Sequence, residues 1–126
     1  MLLEYLSDDS SSDFPLIRLY RFAPEETASL HDAVVELSDG RLQKIVVHEL
    51  PYAKVIAGCQ LTLCVSSFDQ SVVQKDAYMF ECRYTAKTWD NVAGLLKPYA
   101  EGKGGHQWLS SGTGDAQLLL SFSGEW

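Results

Sequence analysis

Arg21–Gly40 reads RFAPEETASLHDAVVELSDG, and Arg83–Gly102 reads RYTAKTWDNVAGLLKPYAEG. The two stretches lie over each other without a gap. Arg21 meets Arg83, Phe22 meets Tyr84, Leu30 meets Val92, Val34 meets Leu96, Leu37 meets Tyr99, Asp39 meets Glu101 and Gly40 meets Gly102. Each reads as the end of a strand followed by one amphipathic helix. In the first, Pro24 suits the opening helical position, and Glu25 and Glu26 complement the positive end of the helix dipole. Ala23 is a poor cap. Leu30, Ala33, Val34 and Leu37 fall at i, i+3, i+4 and i+7, a single buried stripe, with Asp32 and Glu36 on the other side. Gly40 is placed to end the helix in a left-handed turn. In the second, Thr85 is the cap of a helix over about Ala86–Tyr99. Trp89, Val92, Ala93 and Leu96 repeat the spacing, and Pro98 sits in the last turn.

Strands flank both helices. Pro15–Phe22 (PLIRLYRF) is rich in β-formers. Leu42–Leu50 follows the first helix and is closed by Pro51. Cys59–Ser66 alternates, with Cys59, Leu61, Leu63 and Val65 facing one way and Gln60, Thr62, Cys64 and Ser66 the other. Tyr78–Tyr84 places Tyr78, Phe80, Cys82 and Tyr84 on one face. Two short strands, near His106–Leu109 and Ala116–Phe122, close the chain. The predicted fold is α+β, with two helices on a mainly antiparallel sheet of about six strands. The order strand, helix, strand, strand occurs twice, which points to a βαββ duplication. Such halves pack as two helices over one sheet, or as two small sheets related by a pseudo-two-fold.

The 126 residues suit one domain, assigned to 14–126. The apolar fraction of 46% supplies a core without disulfide or metal. Residues 1–13 read as an acidic flexible arm, with Met1–Leu6 an apolar anchor and Ser7–Asp13 a polar link. There are 17 acidic and 10 basic residues, for a net charge of −7. That balance repels phosphate backbones and excludes nucleic acid as a partner. No apolar run approaches the roughly 20 residues of a membrane span. Three cysteines cannot all pair with one another, and the N-terminus lacks the features of a secretory signal. The expected location is the cytoplasm.

Lys97–Asp115, KPYAEGKGGHQWLSSGTGD, holds the residues that most resemble chemistry. A phosphate loop leads from a strand into a helix, where backbone N–H groups meet the phosphate. Here the glycines follow a helix and precede a strand, and no Ser or Thr follows Lys103. The stretch is a helix terminator and linker, with Ser110–Asp115 a turn between strands. His48, His106, Glu81 and Glu125 are the candidates for a two-His, carboxylate metal set, should the strands bring them together. Cys64 lies on the polar face of its strand and is the candidate reactive thiol, with His48 as its base if the second and third strands pair. No nucleophile elbow, zincin helix, EF-hand or dinucleotide fingerprint occurs. The aromatic and loop residues Trp108, Trp126, Tyr52 and His106 are the candidate contact residues, because Trp and Tyr dominate binding hot spots and loops carry function.

The expected function is a small acidic binding module acting through protein contacts, of immunity or adaptor type, without catalysis or cofactor. The alternatives are a metal-dependent or thiol-using enzyme or small-ligand binder on the sheet, and an obligate homodimer with a purely structural interface.

Overall fold

Pro24–Ser38 (α1) and Ala86–Ala100 (α2) are the helices. A computed structural model describes residues 1–6, 15–109 and 114–122 of the chain. Counting 62 positions on from Pro24 and Ser38 reaches Ala86 and Ala100, so the aligned stretches are helical over the same span. Gly40 (φ 85°) and Gly102 (φ 107°) both take the left-handed conformation just past their helix. The first helix solves its missing cap from inside. The Glu26 carboxylate reaches back to accept the Ala23 N–H at 2.7 Å. The Met1 amine also donates to Glu26, at 2.9 Å. Those two donors outweigh the effect of burial and hold the Glu26 carboxyl below its usual range. Thr85 caps α2 as expected, its hydroxyl accepting the Thr88 N–H at 3.2 Å.

The strands are β1 (Leu2–Leu6), β2 (Leu16–Tyr20), β3 (Lys44–Val46), β4 (Lys54–Val55), β5 (Gln60–Val65), β6 (Ser71–Asp76), β7 (Met79–Tyr84), β8 (His106–Trp108) and β9 (Gln117–Ser121). They form two sheets rather than one of about six strands. One has the order β4-β1-β2-β9-β8, and the other β3-β5-β7-β6. Both are mixed rather than mainly antiparallel. β2 pairs with β9 in parallel, and β5 with β7 in parallel. The hairpin-like pairs β1–β2, β3–β5, β6–β7 and β8–β9 are antiparallel. The reason is the path of the chain. β2 leads into α1, which delivers β3 and β5 to the other sheet. β7 leads into α2, which delivers β8 and β9 back to the first.

β1, β4 and β6 are strands that the sequence does not announce. Leu2–Leu6 pairs with β2 along its whole length, so the first six residues belong to the sheet and not to a flexible arm. Residues 7–14 lie outside the described residues. The predicted strand over Leu42–Leu50 shortens to Lys44–Val46, because Val47–Glu49 coils into a 3-10 turn.

The inner faces of both sheets and the buried stripes of both helices make one core. Leu30, Val34 and Leu37 from α1 enter it with Trp89, Val92, Ala93 and Leu96 from α2. Each of the Leu and Val side chains contributes about 1.5–3 kcal/mol when fully buried. The sheets meet where Tyr5 of β1 packs on Phe80 of β7, ring centroids 4.6 Å apart. Among the described residues, no helix is long and apolar enough to cross a membrane.

The turn from β4 into β5 carries one local conflict. Ala57 (φ 55°) and Gly58 (φ 77°) are both left-handed. A Cβ costs about 1–2 kcal/mol in that region, and Asn tolerates it better. Ala57 is exposed. Ala57→Asn is expected to raise stability by about 0.5–1 kcal/mol in urea titration. An unchanged or lower midpoint would show that the turn is not strained.

Candidate functional site

The predicted metal set is not brought together. His106 lies on β8, at the edge of the five-stranded sheet, whereas Glu81 is on β7 of the other sheet. Glu81 is engaged by Arg83, whose Nε donates to Oε1 at 2.8 Å. Glu125 lies outside the described residues. Among the described residues, no three His, Cys, Asp or Glu side chains converge on a point that would hold a metal.

His48 has a different job. Val46 of β3 faces Thr62 of β5, and in a continued ladder Val47 would face Leu61. The 3-10 turn removes that partner. The Leu61 N–H donates instead to the His48 Nδ1 at 3.1 Å. The imidazole thus replaces a strand as the acceptor for a buried backbone donor. His48→Ala orphans that N–H, and the expected loss is about 1–3 kcal/mol, read as a shift in denaturation midpoint without change of fold. A midpoint equal to wild type would mean water serves Leu61 equally well.

The same contact bears on Cys64. With its Nδ1 held by Leu61, His48 is not placed as a base for the thiol. Cys64 is half-buried on β5, opposite Arg83. Burial foremost, then the Glu81 carboxylate, push its thiol up, against the opposing pull of Arg83. A nucleophilic cysteine needs the reverse. Cys59 and Cys82 are buried in the core, and burial raises the Cys59 thiol to about 11.

Of the predicted contact residues, the structure unites two. His106 and Trp108 point to one face of the five-stranded sheet, where His106 neighbours Ser121 and Trp108 neighbours Leu119. That face also carries the Arg18–Glu4 ion pair at 2.7 Å, with the Arg18 guanidinium stacked over Tyr20 at 3.9 Å. Tyr52 sits by the opposite edge, just before β4. It is half-buried, and its carbonyl accepts from the Met1 amine at 3.2 Å. Burial, with Glu26 adding, raises its hydroxyl pKa. Trp126 lies outside the described residues. The GKGG stretch is a helix end as expected: the Gly102 N–H returns to the Tyr99 carbonyl and the Lys103 N–H to the Pro98 carbonyl, each at 3.1 Å.

Sequence reasoning missed a surface feature at the β6–β7 turn, where two adjacent large apolar residues are exposed. The alternation of Tyr78–Tyr84 places Tyr78 on one face with Phe80, Cys82 and Tyr84. In the structure β7 begins one residue later, and Tyr78 stands 55% exposed at the β6–β7 turn, beside Met79 at 43%. Tyr78 is held edge-on against Tyr5, centroids 6.3 Å apart. Tyr78 and Met79 border a shallow depression of about 190 Å³ that Gly58, Gln60, Asp76 and Ala77 complete. The signal available in the sequence was the dipeptide itself. Strict alternation puts one of two adjacent large apolar residues outward.

Compared with known proteins, the chain matches no family model, no curated protein and no solved structure.

Proposed function

We propose that this chain is a small non-catalytic binding module acting through protein contacts, and that Tyr78 and Met79 are the centre of its contact surface. The observation that carries this reading is the adjacent exposure of two large apolar side chains beside a depression. Tyr and Met are over-represented at the cores of protein interfaces, where their burial is favourable and their geometry adaptable. Tyr78 is already positioned by Tyr5, so little side-chain freedom is lost when a partner covers it. The free thiols of Cys59, Cys64 and Cys82 support a reducing compartment, and we place the module in the cytoplasm. We also infer that its two halves derive from one duplicated unit, a reading supported by the match of α1 with α2 and of Gly40 with Gly102.

The test is photo-crosslinking in cells. A photoreactive residue at position 79 is expected to give a discrete adduct that disappears in the Tyr78→Ala background. The same residue at Leu95, exposed on α2, is the control. Identical adducts from both positions, or adducts that survive Tyr78→Ala, would remove this surface from consideration.

A further inference from the structure

The two ends of the chain are interlocked rather than stacked. Take the first half as residues 1–65 and the second as 71–126. The first contributes β4, β1 and β2 to one sheet and β3 and β5 to the other. The second contributes β9 and β8 to one and β7 and β6 to the other. Leaving β4 aside, the two sheets read alike from opposite edges: β1-β2-β9-β8 and β6-β7-β5-β3. Each sheet is closed at its middle by a parallel pair that crosses between halves. These are β2 with β9, from Leu16↔Gln117 to Tyr20↔Ser121, and β5 with β7, from Gln60↔Met79 to Val65↔Tyr84.

The other cross-half contacts repeat the pattern. α1 packs along α2. The Trp89 indole N–H donates to the Cys64 carbonyl at 2.9 Å. Phe22 meets Phe122 with centroids 4.9 Å apart. Within one half, by contrast, the described strands pair only as small two- or three-stranded pieces. Their inner residues, Leu61 and Leu63 on one side and Phe80 and Cys82 on the other, are buried and neighbour each other across the seam. The covalent link between halves is the connection Ser66–Gln70, which steps over the end of β7 and exposes Ser67 and Phe68.

We propose that the seam between the halves is a binding interface in its own right: each half is the ligand of the other, and the seam accepts the matching half of a second copy of this chain. The chemistry is that of a closed two-fold pair, with one surface meeting its counterpart through the same elements in reversed roles. A covalent link adds effective concentration to such a pair but no contacts. A second copy offers the same edges, so two chains unfolded together exchange halves about Ser66–Gln70 and close as a dimer with the same contacts. The inference rests on strand order, independently of what the Tyr78 surface binds.

The experiment uses the full chain with a protease recognition sequence inserted between Ser67 and Phe68. After cleavage of the folded protein, the two pieces are expected to co-elute at the mass of the uncut chain. Once separated in denaturant, neither piece should give a near-ultraviolet tertiary signal alone, and mixing them should restore it. A piece that folds alone, or pieces that part in native buffer, would overturn the interface. The second arm refolds tagged and untagged uncut chains together at high concentration. Retention of untagged chain on the tag is expected there, and none when the same chains are mixed already folded. Recovery of monomers alone from co-refolding would overturn acceptance of a second copy.

Discussion

Gly114→Ala is expected to lower unfolding free energy by about 3 kcal/mol, as an overpacked site that also loses hydrogen bonds. A Cβ built on Gly114 stands 2.5 Å from the Val72 carbonyl oxygen and 2.7 Å from the Val72 nitrogen. Both are backbone atoms of β6, so no side chain can swing aside. The neighbouring contacts depend on that approach. The Asp115 N–H donates to the Val72 carbonyl at 2.8 Å, and the Asp115 carboxylate accepts the Gln74 N–H at 2.8 Å. Together they occupy two groups on the outer edge of β6, which would otherwise be open to another strand. Displacing Gly114 withdraws both. Urea denaturation reads the loss, and a rise in aggregate on concentration reads the opened edge. A variant as stable as wild type would mean that the 114–116 segment does not dock on β6.

Trp89→Ala is expected to cost about 3–5 kcal/mol, a large share of the roughly 5–15 kcal/mol that holds a domain together. Trp89 is fully buried and meets Tyr84 edge-on, with centroids 5.2 Å apart. Its indole N–H also serves the Cys64 carbonyl. Trp89→Phe separates the two contributions. It keeps an aromatic body and leaves the carbonyl unserved, so the expected cost falls to about 1–3 kcal/mol. Guanidinium titration of the three proteins gives the order wild type, Phe, Ala. An alanine variant within about 1 kcal/mol of wild type would place Trp89 outside the core, since buried Trp truncations do not come so cheaply.

The helices were legible in the sequence almost to the residue, because caps, periodicity and terminating glycines act within a few positions of each other. Thr85, Gly40 and Gly102 do what their chemistry dictates. Strand faces were legible too: Leu61 and Leu63 point inward as their alternation implies. Strand neighbours were not. Alternation fixes which way Leu63 faces but not that Cys82 lies beside it in parallel, and so the sequence leaves one sheet or two small ones open. β6 escapes the sequence because Ser71–Asp76 is mostly polar, with only Ser71 and Val72 buried. His48 was weighed as a ligand or base. Its actual partner, the Leu61 N–H, follows from a 3-10 turn that nothing in LQKIVVHEL announces. The Tyr78 surface was lost to a one-residue difference in where β7 begins.

The interlocked strand order also sets a timetable for synthesis. A ribosome delivers β2, which ends at Tyr20, long before β9, its parallel neighbour, begins at Gln117, whereas β5 ends at Val65 and meets β7 from Met79. At about 5–20 residues per second, the stretch from Tyr20 to Gln117 takes roughly 5–20 seconds to appear. Throughout that interval the nascent chain displays the unmatched edge of β2 and the apolar side chains behind it. Native closure must wait until the last strand, Gln117–Ser121, has left the exit tunnel. For this chain, holding the newborn first half apart from its neighbours on a polysome is a condition of folding correctly.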